Sequence, residues 1–484
     1  MEIKEKLAKI VGAKYVLDKP GALEVYSQDY SLTAPMAPSY AVQPQSSQEI
    51  SQIVKLADEF RLPLVPSSSG VHFYGASIPS QGGIVLDLSR MNRILEVNTL
   101  DRIVRLEPGV TWQQAQAEVN KHEGTIISPL FVHPRRSVVT DYLEREVPTS
   151  PVYEYAEPLL SMEVVWANGD IFRTGSASAP GYPDSPSKGA NPQGPGLDFF
   201  RLLQGAQGTM GIVTWAAVKY EYLSLLNKVY FMPFKKLEDA IEPIYKIQRM
   251  VIGNESFLIN SLDLATVLAE KWPQDFDKLR ETLPPWTLVL VIASSRGRPE
   301  EKIQYQEEAL KDLNSKFMKI EMLTSLPGVP GLEKKLPGML RNPWPEKETY
   351  WRLRNKGGWQ NLFFITMPEK VPGFHATFTQ VAAKYGYPVA EVGCYVQPIE
   401  RARACRCEFS CYYDPADMAE RKKIGELYAE AARSLLNQGA YFTQPYGVLA
   451  DMVYSRATGY VAALKKVKKI FDPHNIMNPG KLCF

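Results

Sequence analysis

No apolar run in this sequence approaches the ~20 residues that a membrane-spanning helix requires. The longest, Trp286 to Ala293, is the length of a strand. Charge of one sign is also missing. The 55 basic and 53 acidic side chains leave a net charge of +2. That balance argues against nucleic acid as the main partner, because phosphate recognition needs a local excess of Lys and Arg. Cysteine is scarce and odd in number, five in 484 residues, so no disulfide framework is implied. The five histidines (His72, His122, His133, His375 and His474) are too scattered to suggest a metal-ligand set. The N-terminus is charged and lacks the apolar core of a signal peptide, so the protein reads as cytoplasmic. No Gly-x-Gly-x-x-Gly opens a helix after a strand, and no Gly-Lys-Ser/Thr is present, so a nicotinamide-type Rossmann unit and a P-loop are both unsupported.

What remains is the material of an ordinary globular protein, 45% apolar and 22% charged. Its length suggests two or three domains at ~100–200 residues each. Ile50, Ile53, Val54, Ala57 and Phe60 recur at helical spacing, with Ser47 as the expected N-cap. Strand-like runs follow at 62–65, 83–88, 94–98 and 103–108, and Thr111 opens another helix. Residues 176–196, rich in Pro, Gly and Ser, read as a long surface loop. Beyond Glu221 the texture changes. Strand-like runs at 229–233, 286–293, 362–367 and 404–413 alternate with helical stretches at 237–250, 300–313 and 415–436. That alternation predicts an open sheet with helices on one side.

Pro66-Ser-Ser-Ser-Gly-Val-His-Phe-Tyr-Gly75 follows a strand. Its small residues let backbone N–H groups approach an anion such as a pyrophosphate, although a plain turn would read the same way. Four further segments occur in a fixed order. They are Gly83-Ile-Val-Leu-Asp-Leu-Ser-Arg-Met-Asn-Arg-Ile-Leu-Glu-Val-Asn98 with Glu107-Pro-Gly-Val-Thr111, then Met162-Glu-Val-Val-Trp-Ala-Asn-Gly-Asp170, then Gly205-Ala-Gln-Gly-Thr-Met-Gly-Ile-Val-Thr214, and the closing Asp472-Pro-His-Asn-Ile-Met-Asn-Pro-Gly-Lys481. As a set they resemble the FAD-linked oxidase family that includes vanillyl-alcohol oxidase, 4-cresol methylhydroxylase, D-lactate dehydrogenase and the glycolate oxidase flavin subunit. The resemblance covers about residues 40–222 and 440–484; the middle of the chain matches only loosely.

The resemblance implies an α+β protein with a two-subdomain FAD-binding fold and an α/β cap of antiparallel sheet with helices. FAD-binding residues would be 1–222, the cap 223–438, and 439–484 a return to the FAD-binding part. Pro66, Ser67, Ser68, Ser69, Gly70, Val71, His72, Tyr74 and Gly75 would hold the pyrophosphate. Gly208, Gly211 and Ile212 would sit near the adenine, and Asn478, Gly480 and Lys481 near the flavin ring. Pro108, Gly109 and Ser137 complete the expected cofactor set. His72 is weighed for covalent attachment, but the berberine-bridge relatives carry their attaching His at the position of Val71.

Two branches of the family compete. The phenol-oxidising branch has a Tyr after its pyrophosphate loop that binds phenolate, matched by Tyr74. It also has an Asp near the flavin, onto which Glu154 falls without a gap. Its C-terminal Tyr-Arg pair is replaced by Thr443-Gln444, with Tyr446 as a possible substitute. The 2-hydroxyacid branch carries a His-rich metal motif and a Glu-His-Gly that this sequence lacks. The expectation is therefore an FAD-dependent dehydrogenase taking hydride from a small alcohol or a 4-alkylphenol or benzylic substrate. The alternatives are a D-2-hydroxyacid dehydrogenase and a non-catalytic FAD-binding electron-transfer subunit. A separate acceptor protein (iron–sulfur subunit, electron-transfer flavoprotein or cytochrome) is expected, and a homo-oligomer is possible.

Arg401, Arg403 and Arg406 lie on an expected cap strand, and Arg403 is chosen as a carboxylate clamp. Period two puts Arg401, Arg403, Cys405, Cys407 and Cys411 on one face and Arg406 with Glu408 on the other. The cysteines read as small apolar packing, because an iron–sulfur site wants Cys-x2-Cys spacing.

Overall fold

A computed structural model describes residues 2–152, 158–179 and 191–484. Glu154 and most of the Pro/Gly/Ser-rich stretch lie outside the described residues.

Three sheets organise the chain. In the first, strands Tyr40–Val42, Ile84–Asp87 and Leu64–Ser67 run parallel, with Val16–Leu17 antiparallel at one edge. The crossover between its parallel strands is helix Ser47–Phe60, which buries Ile50, Ile53, Val54 and Ala57 against the sheet. Ser46 is its N-cap and accepts the Glu49 N–H at 3.2 Å. The neighbouring Ser47 instead donates to Glu163 at 2.6 Å, so the cap lies one residue earlier than expected. Arg61, in the left-handed region at φ 55°, ends the helix.

The second sheet is antiparallel, in the order Ile94–Asn98, Ile103–Leu106, Gly211–Tyr222, Leu159–Trp166, Ile171–Arg173, with Gly124–Ile126 pairing the far end of 211–222. Helix Trp112–Asn120 packs beside it, opened by a reciprocal capping box between Thr111 and Gln114.

The third sheet has six antiparallel strands, in the order Leu226–Phe234, Trp286–Ser294, Glu255–Asn260, Gly393–Ile399, Ala404–Tyr413, Gly358–Thr366. Strands 255–260 and 393–399 were not legible in the sequence. One face carries Met232, Leu258, Leu288, Val396, Cys407 and Phe364 into a core with helices Glu238–Arg249, Pro299–Leu313, Val371–Lys384 and Met418–Gln438. The opposite face meets Val71, Phe73, Leu130 and Phe131, which come from the N-terminal half.

Helix Thr458–Phe471 then brings the chain back to the first two sheets. The Leu64 N–H donates to Ile476 at 2.7 Å, and the Asn478 N–H donates to Leu64 at 2.8 Å, so the tail lies along the edge strand 64–67. Lys468 fixes this return. Its buried ammonium donates to the Thr209 carbonyl, the Asp472 carboxylate and the Met477 carbonyl at 2.5, 2.6 and 2.9 Å. Asp472 in turn accepts the N–H groups of Ile476 and Met477.

Candidate functional site

The loop leaving strand Leu64–Ser67 turns sharply at Gly70 and Gly75, whose φ values of +76° and +77° suit glycine. A Cβ on Gly75 would lie 2.0 Å from Thr33 Oγ1, and its N–H is held by Asp29 at 2.7 Å. The backbone N–H groups of Ser69, Gly70 and Val71 donate to no acceptor among the described residues, and Ser69 Oγ is buried without a partner. Three successive free donors beside a buried, unpartnered hydroxyl have the form of an anion nest.

Beside the loop runs a groove enclosing about 730 Å³. Pro66, Ser68, His72, Pro108, Gly208, Gly211 and Ile212 line it. Gly208 closes on the loop, since a Cβ there would meet Pro66 at 2.4 Å. Asn478 donates to Ala76 at 2.9 Å and to Gln207 at 2.6 Å, while its Oδ1 is buried and unpartnered. Lys481 donates to the Gly75 carbonyl at 2.9 Å, and burial lowers its pKa.

Other expected cofactor contacts act from further back. Ser137 is fully buried and caps helix Val138–Leu143, whose Thr140 reaches Ser68 at 2.8 Å. Gly109 packs against the turn at Leu88–Met91, with Leu88 O only 2.7 Å from an added Cβ. Val71 faces the cap core, and Gly480 packs on Ser80. His72 lies in the groove wall, its Nε2 3.1 Å from Ser67, and burial lowers its pKa to about 4, so the ring is neutral.

Tyr74 carries the loop under the third sheet. Its ring stacks on Tyr446 with centroids 4.8 Å apart, bringing together two residues singled out from sequence. Its hydroxyl donates to Glu146 at 2.8 Å. Burial, reinforced by Glu146, holds the Tyr74 phenol well above its ordinary pKa, so it remains protonated. Arg406 donates to Glu146 at 2.9 Å and to Glu408 at 3.1 Å. Arg352 also pairs with Glu408, and Arg136 pairs with Asp141 and Glu144.

Of these groups, Arg136, Asp141, Glu146, Arg352, Arg406 and Glu408 line one pocket, walled by Phe73, Tyr74, His133, Tyr350, Trp359 and Tyr395. The alternation on strand 404–413 explains the geometry. Cys405, Cys407 and Cys411 pack into the helix-side core, and Arg406 with Glu408 faces this pocket. Arg403 lies elsewhere. Its side chain is 83% exposed, on a turn where Glu400, Arg401 and Ala402 all have positive φ, and the strand starts only at Ala404. Arg403 therefore cannot clamp a ligand in this pocket, and Arg406 occupies the place intended for it. Arg136, Glu146, Arg352 and Glu408 were missed as site residues. The only signal for them in the sequence was the period-two placement of Arg406 with Glu408.

Two family models match the chain: the FAD binding domain over residues 38–175, and the C-terminal domain of FAD linked oxidases over residues 227–482. The second alone spans more than half of the chain. The chain belongs to the FAD-linked oxidases. The glycolate oxidase subunit GlcD of Bacillus subtilis is 25% identical to this FAD-linked oxidase, over 99% of this chain and 96% of its own. The mitochondrial D-lactate dehydrogenase [cytochrome] of Arabidopsis thaliana is 24% identical over 92% of this chain and 73% of its own. Substrate-bound p-cresol methylhydroxylase superposes with a TM-score of 0.85 at 21% identity, covering 99% of this chain and 96% of its own, which shows a shared fold.

FAD is the cofactor of this oxidase, and the groove suits it: Ser69 Oγ and Asn478 Oδ1 are buried polar atoms without a partner, and the N–H groups of residues 69–71 are free beside them. Glu144 stands where the groove and the aromatic pocket meet, bonded to Arg136 at 2.6 Å. Burial raises its pKa from 4.5 to about 8 against the pull of Arg136. A carboxyl whose pKa is raised on folding contributes stability that is fully present below its unfolded value and is lost as pH rises through its folded value. Apo-protein Tm should therefore decline between pH 4.5 and 8, and Glu144→Gln should flatten that decline. A parallel pH profile in the variant would remove Glu144 as its source.

Proposed function

We propose that this FAD-linked oxidase dehydrogenates a small, uncharged alcohol or a 4-alkylphenol or benzylic substrate held in the aromatic pocket beside Tyr74. One observation carries this reading: each guanidinium in the pocket already faces a carboxylate. Arg136 faces Asp141, Arg352 faces Glu408 and Arg406 faces Glu146, one carboxylate for each guanidinium, so no spare positive charge is left to clamp an acid. The walls supply aromatic surface instead, which suits an aryl ring.

Bound FAD supplies the two-electron acceptor. The chain's own residues bind, orient and move a proton. Phe73 and Trp359 meet edge to face at 5.7 Å and help to exclude water. Tyr74, kept neutral, donates its one hydroxyl proton to Glu146 and can accept a substrate hydroxyl at the same oxygen. In our reading a substrate hydroxyl seated against Tyr74 passes its proton through that phenol to the Glu146 carboxylate, which becomes neutral, and Arg406 keeps Glu408 as its charged partner. Electrons would then leave to a separate protein acceptor. The designation of one relative as a cytochrome-linked dehydrogenase and of another as a subunit supports that. Among the described residues no helix is long and apolar enough to cross a membrane.

Anaerobic bleaching of the flavin tests the substrate class, with 4-cresol, vanillyl alcohol and 4-hydroxybenzyl alcohol set against D-lactate and glycolate. Bleaching by the first three is expected, and bleaching by the hydroxyacids alone would reject the reading. Tyr74→Phe should slow bleaching about 100-fold, the size of a lost proton-transfer group, with flavin content unchanged. An unaltered rate would take Tyr74 out of the proton path.

A further inference from the structure

On the other side of the Tyr74–Tyr446 stack lies a second cavity, of about 870 Å³. Leu32, Phe363, Tyr428 and the two stacked tyrosines form its apolar wall. Three amides also line it. Gln360 donates to the Asn361 carbonyl at 3.2 Å, and the other two are Asn361, from strand Gly358–Thr366, and Gln444, from the C-terminal return. These two are only 3% and 5% exposed, yet Asn361 Nδ2 and Gln444 Nε2 donate to nothing among the described residues. A buried donor left unsatisfied costs about 1–3 kcal/mol. Two of them on one cavity describe a prepared hydrogen-bonding site. No lining side chain among the described residues carries a formal charge. The nearby Arg406 is already engaged by Glu146 and Glu408.

The geometry points to this cavity as the seat of an uncharged hydrogen-bond acceptor on the substrate, a ketone, aldehyde, ester or ether oxygen borne by an aromatic ring. The inference deepens the reading above and rests on it for calling the occupant substrate. Its chemistry follows from the donors. An amide N–H offers a hydrogen bond without a compensating charge, so a neutral oxygen gains fully, whereas a carboxylate would be stripped of water with no cation to meet it.

Isothermal titration of the FAD-loaded protein with acetophenone, ethylbenzene and benzoate tests the assignment. Acetophenone should bind at least about 10-fold more tightly than either of the others, in line with one or two well-made hydrogen bonds. Gln444→Leu and Asn361→Leu should each weaken acetophenone about 10-fold and leave ethylbenzene within about 3-fold, with Gln444→Met as a second variant should the first fail to fold. Benzoate binding as tightly as acetophenone, or acetophenone binding unchanged in both variants, would overturn the inference. The two readings fail separately. A preference for acetophenone without flavin bleaching by any alcohol keeps the acceptor site and removes the reaction. Bleaching by alcohols without that preference removes the acceptor site alone.

Discussion

Lys468→Met is expected to lower the unfolding free energy by about 3–5 kcal/mol, the usual result of breaking a buried ion pair by removing one partner, and to release FAD. The ammonium is 4% exposed and holds three acceptors, two of them backbone carbonyls from separate segments. Without it, the Asp472 carboxylate stays buried with only two backbone donors. The Thr209 segment, next to Gly208 and Gly211, also loses its tie to the tail that presents Asn478. Both walls of the groove therefore loosen together. Urea unfolding with and without added FAD separates the effects, because ligand stabilisation follows RT ln(1 + [L]/Kd). A variant that loses stability but gains as much from FAD as the parent would make Lys468 purely structural. Lys468→Met combined with Asp472→Asn should recover part of the loss, since it removes the stranded charge.

A second large effect is expected at Glu408. Burial pushes its carboxyl up, but Arg352 and Arg406 together pull its pKa below the ordinary value. A carboxyl whose pKa falls on folding contributes stability above its unfolded value and loses it as pH drops through the folded one. Glu408→Gln should therefore destabilise the protein at neutral pH by about 3–5 kcal/mol and steepen none of the acid transition. The functional consequence is more diagnostic. The variant leaves Arg352 without its carboxylate and Arg406 with Glu146 alone. The pocket then holds spare positive charge, and D-lactate or benzoate should bind about 10-fold more tightly than to the parent, roughly one charge-assisted hydrogen bond. Titration calorimetry of both proteins reads this directly. Unchanged anion affinity would mean that the arginines are not screened by Glu408, and the argument against an acid substrate would lose its basis.

Much of this fold was legible because it rests on local patterns. The helical period at 50–60 and the strand runs at 94–108 and 404–413 each contain their own signal. The small-residue loop at 66–75 and the Asp472–Lys481 ending also could be read by eye, since close backbone approach demands particular residues. The charged pocket was not legible in the same way. Arg136, Glu146, Arg352 and Glu408 belong to four separate segments, and only the packing of the loops around helix Val138–Leu143 and of helix Trp351–Arg354 against strand Ala404–Tyr413 brings them together. Taken singly, each would pass for a surface charge. Arg403 shows the complementary failure: the alternation was carried back past the start of the strand, where three successive positive-φ residues cancel any period.

The return of the chain bears on how the protein matures. The edge strand at Leu64 and the loop after it receive their last partners from Ile476 and Asn478, and Lys481 closes on Gly75. During synthesis the N-terminal half can collapse around its own strands long before those residues emerge, yet the groove stays open on one side until residue 481 has cleared the ribosome. That wall of the groove forms only when residues 476–481 have folded back onto Leu64, Gln207 and Gly75. A molecule that retains flavin has reported that its two distant ends have met, so the colour of the protein serves as a readout of completed folding.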